Sequence, residues 1–185
     1  SKFSNDLRLL SSGPRTGLHE INLPAKQNGS SIMPGKVNPV IPEVVTQVAY
    51  LVIGHDTTIT MAAEAGQMEL NAFEPVLFYN IFESIETLTG AVNTLTNNCV
   101  TGITANENEC RSYVEHSVGI STALCPYIGY KKSAEIAKLS LKTGRTVKEI
   151  VLSEKLLSEN QLNEILNPVN LTEPENEIET IAKAM

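Results

Sequence analysis

Between Gly29 and Pro39 the chain sets two adjacent hydroxyls (Ser30, Ser31), one cation (Lys36) and one amide (Asn38) among two glycines and two prolines. Gly and Pro punctuate loops rather than element interiors, so these polar groups are displayed on a loop. Pro39 and Pro42 then open a long apolar stretch. Proline suits the first turn of a helix, where its missing N–H is not needed. The loop is therefore expected to run into a helix N-terminus, with Asn38 as the N-cap. Backbone amides and the helix dipole attract anions there, and Lys36 adds a full positive charge. The chemistry this combination suits is the binding of a carboxylate or phosphate, with two hydroxyls at hand as nucleophile or base.

The elements that must hold this loop are helices. Phe3, Leu7 and Leu10 recur at helical spacing over 2–12, and Gly13-Pro14 ends the pattern. Residues 13–39 form a long segment rich in Gly, Pro, Asn and Ser, of a length that is usually functional or disordered. Residues 40–64 read as a helix apolar nearly all round, expected to be buried on most sides, and Ala65-Gly66-Gln67 breaks it. Over 73–99, Phe73, Leu77, Ile81, Ile85, Leu88, Val92, Leu95 and Cys99 step by three and four, with Asn71 available as a cap. This stripe is expected to be core or subunit interface, since long antiparallel rods of this kind belong in bundles. After Gly102 the elements shorten. Capping boxes at Thr104–Glu107, Thr146–Glu149 and Ser158–Gln161 open short helices, Ser133 to Lys142 is a helix stopped at Gly144, and Ile120 to Tyr130 reads as a loop. The expected fold is all-α: long bundle helices over 1–102, a small domain of short helices over 103–166, and a weakly ordered acidic tail over 167–185.

Composition narrows the function classes. A net charge of −7 with a pI near 5.0 leaves no basic patch for nucleic acid. No apolar run is long enough for a membrane span, and no signal peptide is visible. Cys99, Cys110 and Cys125 form no C-x-x-C pair; they are expected to be reduced, buried and structural in a cytoplasmic protein. No P-loop, dinucleotide fingerprint or metal-ligand spacing is present, so neither cofactor nor metal is expected. The chain opens Ser1-Lys2-Phe3 directly in a helical pattern, which suggests a segment of a longer polypeptide.

Gly29-Ser-Ser-Ile-Met-Pro-Gly-Lys-Val-Asn-Pro39 resembles the signature loop of the aspartase/fumarase superfamily. The likeness extends to Asn5–Pro14 before the loop, to Gly66-Gln-Met-Glu-Leu-Asn71 before the long helix, and to 102–155, which resembles that family's small C-terminal domain. Ile41–Val48 and Asp56–Ala65 are more similar to the aspartate ammonia-lyase branch than to the fumarases.

The resemblance implies anti elimination of ammonia from L-aspartate to give fumarate. A proton leaves the carbon beside a carboxylate, charge builds there as an aci-carboxylate, and the amine departs. Such a site needs a base, donors for the developing charge and clamps for both carboxylates. By resemblance Ser30 is the base, Ser31 a neighbouring contact to a substrate carboxylate, and Lys36 and Asn38 the carboxylate clamp. Glu43 resembles the family's orienting partner of a site histidine. That histidine and further Thr and Ser ligands belong, in the family, to earlier segments that this sequence does not contain. His19, His55 and His116 match none of them and are expected to be structural or superficial. The family is tetrameric, its sites are shared between subunits, and its core is a bundle to which this chain brings about two long helices. The 185 residues are accordingly expected to self-associate and to be inactive alone. Two alternatives stand beside this reading: a fumarate hydratase segment, with water as the leaving group, and a non-catalytic helical oligomerisation module.

Overall fold

A computed structural model describes residues 1–29 and 32–172. Ser30, Ser31 and residues 173–185, most of the acidic tail, lie outside the described residues. The chain divides into two compact units, one ending at Asn106 and the other beginning at Glu107.

The first unit is built on two long helices, α2 (Val40–Glu64) and α3 (Glu74–Asn98), with α1 (Lys2–Leu10) packed on α2. At 25 residues each, α2 and α3 are rods of about 37 Å. They run antiparallel: Asn71 Nδ2 donates to the Ala62 carbonyl at 2.8 Å near the turn, and His55 Nδ1 meets Ser84 Oγ at 2.9 Å further along. Asn71 also accepts from the Phe73 N–H at 2.8 Å, which orients the chain into α3.

Periodicity places α3 correctly but not its surroundings. Only Cys99, at its foot, is fully buried among the stripe residues; Leu77, Ile81 and Leu95 are half-buried, and Phe73, Ile85, Leu88 and Val92 are exposed. The positions buried on α3 are Asn80 and Ala91. Asn80 satisfies its amide by donating to the Val76 carbonyl at 2.7 Å. On α2 only Pro42, Val45, Thr46 and Ala62 are buried, so the expected burial on most sides is not met. The short α1 and a single long neighbour cannot cover helices that are apolar over such wide arcs.

The segment 13–39 is pinned at its middle. A short strand β1 (Ile21–Asn22) pairs antiparallel with β2 (Thr104–Ala105). Asn106 donates to the His19 carbonyl at 2.8 Å, and Asn22 donates to Asn106 Oδ1 at 2.7 Å. This pairing overrides the capping box expected at Thr104. Thr104 lies extended in β2 with its hydroxyl accepting from Asn22 at 3.3 Å, and α4 (Glu107–His116) begins without it.

The second unit gathers α4, α5 (Cys125–Ile128), α6 (Tyr130–Thr143), α7 (Val147–Ser153) and α8 (Glu159–Ile165). Its core is Leu124, Ile136, Val147, Ile150, Val151 and Leu162, each at most 1% exposed. The residues expected as a loop instead form a 3-10 helix, Val118–Leu124, followed by α5, because Leu124 is drawn into the core and Pro126 opens a helical turn rather than breaking one. Gly144 ends α6 in the left-handed region at φ 73°, where its N–H reaches the Ser140 carbonyl at 2.9 Å. Both remaining capping boxes form, Thr146 with Glu149 and Ser158 with Gln161. After Asn167 the chain turns back on α8, where Asn170 donates to the Glu164 carbonyl at 2.8 Å.

Candidate active site

The described ends of the polar loop are held to each other. The Gly29 N–H donates to the Lys36 carbonyl at 2.7 Å, and Asn28 and Val37 pair as an antiparallel bridge. A Cβ at position 29 would sit 2.8 Å from the Lys36 carbonyl oxygen, so the close approach requires glycine. Gly35 takes a left-handed φ of 79°. Ser30 and Ser31, the expected base and its neighbour, lie outside the described residues between these anchors.

Asn38 does not cap α2. Pro39 occupies that position, and the Asn38 amide donates to the Gly29 carbonyl at 3.3 Å, tying the two ends of the loop together. An amide nitrogen carries two hydrogens, so a second donor remains for a ligand. The first turn of α2 offers fewer amides to an anion than its position suggests. Val40 donates to the Asn38 carbonyl, Glu43 to the Pro39 carbonyl, and Pro42 has no N–H, which leaves Ile41 among the described residues. Lys36, the cation of the loop itself, is exposed. Ile32, Met33 and Val37 are exposed beside it, an apolar rim around a polar loop.

Glu43 stands half-buried one turn into α2, with its Oε1 3.9 Å from Nη2 of Arg8 on α1. Arg8 Nη1 donates to Asn5 Oδ1 at 3.1 Å, while its buried Nε has no hydrogen-bond partner among the described residues. A carboxylate has two oxygens and about four acceptor sites, so Glu43 can orient a second cationic or N–H group while paired with Arg8. Sequence spacing did not single out Arg8, because its partner lies on another helix.

Each of the three histidines has partners of its own. His55 faces Ser84 about 18 Å along α2 from Glu43, counting 1.5 Å per residue. His19 is half-buried with its carbonyl held by Asn106, and exposed His116 bonds the Ser112 carbonyl at 2.8 Å. Of the three thiols, Cys99 is buried as expected; Cys110 and Cys125 are only half-buried. Among the described residues no cluster of three or more His, Cys, Asp or Glu could hold a metal ion, and no helix is long and apolar enough to cross a membrane.

Residues 1–54 match the family model described as lyase, and residues 120–173 match the one described as fumarase C C-terminus. A signature loop leading into a long bundle helix, followed by a small helical unit, places the chain in the aspartase/fumarase superfamily, to which it belongs. Aspartate ammonia-lyases are among its similar relatives. That of Pseudomonas aeruginosa is 60% identical over 94% of this chain and 37% of its own length. Those of Helicobacter pylori and Escherichia coli are 59% and 55% identical over the same share of this chain, covering 37% and 36% of theirs. Among solved structures, a fumarate lyase:delta crystallin from Brucella melitensis bound to cobalt superposes with a TM-score of 0.88 at 55% identity, over 94% of this chain and 37% of that one. A class II fumarase from Schistosoma mansoni gives 0.86 at 38% identity, over 95% and 36%. The chain thus spans little more than a third of the length of the curated relatives it matches.

Proposed function

We propose that this chain is the signature-loop and C-terminal part of an aspartate ammonia-lyase, catalysing anti elimination of ammonia from L-aspartate to fumarate through an aci-carboxylate. The observation that carries this reading is the 55–60% identity to aspartate ammonia-lyases, against 38% to the Schistosoma fumarase. Residues 1–102 are read as the end of the central helical lyase domain and 103–166 as the small C-terminal domain.

In this reading Ser30 takes the proton from the carbon beside a substrate carboxylate. Ser31 contacts a carboxylate, and Lys36 and Asn38 clamp one. An alkoxide at Ser30 needs donors and a cation nearby; Lys36 supplies the charge and the glycine-containing loop the room for backbone approach. Glu43, braced by Arg8, orients a histidine contributed from outside these 185 residues. The exposed apolar faces of α2 and α3 fit a homo-oligomer, tetrameric in the complete enzyme, and the three thiols fit a cytoplasmic setting.

The 185 residues assayed alone on L-aspartate are expected to form no fumarate. Joined to the rest of the Pseudomonas aeruginosa relative's chain, they are expected to form fumarate and ammonium in equal amounts from L-aspartate. Ser30→Ala in that chain lowers turnover by about a hundred- to ten-thousand-fold, the usual worth of a positioned base. Turnover of L-malate instead would favour the hydratase reading, and inertness toward both substrates the oligomerisation module. Sustained turnover by the 185 residues alone would overturn the claim that they are insufficient.

A further inference from the structure

Asn28-Gly29 is the only asparagine–glycine pair in the sequence, and it stands at the foot of the polar loop. Glycine has no side chain to shield its amide nitrogen, so the carbonyl carbon of a preceding asparagine side chain is open to attack by that nitrogen. The structure holds the pair in a particular state. Asn28 is exposed and bridged to Val37, while the Gly29 N–H is engaged with the Lys36 carbonyl at 2.7 Å. Glycine is required at 29 because a Cβ would meet that carbonyl oxygen at 2.8 Å. The packing of the loop thus demands the glycine, and an asparagine in front of it creates the reactive pair.

We propose that Asn28 is a deamidation site gated by this bridge. While the bridge stands, the nitrogen that would attack is a donor to Lys36 and the Asn28 backbone is held in pairing. When the bridge opens, the Gly29 nitrogen gives up its proton and bonds to Asn28 Cγ. The Cγ–Nδ2 bond breaks, ammonia leaves carrying that proton, and a five-membered succinimide remains. Water then opens the ring at either carbonyl, giving aspartate or isoaspartate. The balance is one water consumed and one ammonia released, with no oxidation or reduction. Both products place a negative charge at the foot of the loop that carries Lys36. The isoaspartyl product also threads the main chain through the former side-chain carbon. The 28–37 pairing and the Gly29-to-Lys36 bond then cannot keep a common register, and the loop loses its closure at this end.

The test is peptide mapping of the purified chain after incubation in mildly alkaline buffer, with isoaspartyl methyltransferase labelling as the probe. Residue 28 is expected to be the first and most heavily converted asparagine, severalfold ahead of the next. Its rate rises with pH, because the attacking nitrogen must be deprotonated. It rises severalfold again in urea, where the bridge is absent. Asn28→Gln removes the label at this position, the larger part of the total, and leaves the far-ultraviolet circular dichroism unchanged. Label spread over other asparagines with residue 28 not in front would overturn the site. Equal rates in the folded and urea-unfolded chains would overturn the gating.

Discussion

Cys99 ends α3 with 1% of its surface exposed, and burial pushes its thiol above the ordinary value of 9.0. A thiol with a raised folded pKa is bound to its proton more tightly in the folded chain than in the unfolded one. Its contribution to stability is therefore complete below 9.0 and is lost as pH rises through the folded value. A neutral, enclosed thiol is also a poor nucleophile. With a thiol alkylating reagent at neutral pH, Cys110 and Cys125 are expected to react first and Cys99 only in urea. Equal labelling of all three would mean that the end of α3 is not closed. Single residues also show what sequence can and cannot reveal. Thr146 and Ser158 were legible as caps because each partner lies within one helical turn. Thr104 carried the same signature and is not a cap, because Asn22, far away in sequence, holds it in a strand pair. Asn38 has the local setting of a cap for the same reason, and the Gly29 carbonyl claims its amide instead. The loop's polar groups could be listed from residue types; the Arg8–Glu43 pair could not, since nothing in the spacing of two separate helices brings them together.

Helices of the second unit are specified twice over, by their ends and by their buried faces, and the two contributions differ in size. The α7 cap is reciprocal: Thr146 N–H donates to Glu149 Oε2 at 2.9 Å, and Glu149 N–H donates to Thr146 Oγ1 at 3.2 Å. Losing such a cap costs about 1 kcal/mol. Ile150, on the same helix, has no exposed surface and packs among Leu124, Ile136 and Leu162. Truncating it to alanine removes the transfer free energy of its side chain and leaves a cavity, about 2–5 kcal/mol together. In urea unfolding of the whole chain, Ile150→Ala is expected to lower the midpoint of the second unit well beyond Thr146→Ala, with Thr146→Ser close to the parent. A Thr146→Ala loss as large as that of Ile150→Ala would show that α7 is held by its end rather than its face. The long helices of the first unit contrast with this. Their periodicity gave their position and extent, α2 at Val40–Glu64 and α3 at Glu74–Asn98, but not which residues a neighbour would cover. Helical spacing reports that a face is apolar; it carries no information about the element, or the chain, that lies against it.

At the scale of the molecule, what α2 and α3 leave uncovered decides how the chain behaves in solution. Tyr50, Ile53 and Met61 on α2, and Tyr79, Phe82 and Ile85 on α3, are each between 58% and 68% exposed. Large apolar side chains left uncovered in this number mark an interaction site. The chemistry of that association is set by charge as much as by hydrophobicity. Neither helix contains a Lys or Arg, and their ionisable groups are acidic apart from tyrosine and His55. Two copies meeting through these helices cannot be joined by ion pairs between them, so apolar burial must supply the attraction against carboxylate repulsion. Screening removes the repulsion and leaves the apolar term, and excluded salts strengthen it. Light scattering of the purified chain at micromolar concentration is therefore expected to give a mass above that of one chain, and the associated fraction is expected to hold or grow as salt is raised. Phe82→Glu, adding a carboxylate to the middle of the exposed face, shifts the population toward single chains, most strongly at low salt. A single-chain mass at every salt concentration would remove the assembly. Dissociation by salt would show instead that it is held by ion pairs elsewhere on the chain, since these two helices have no Lys or Arg to offer.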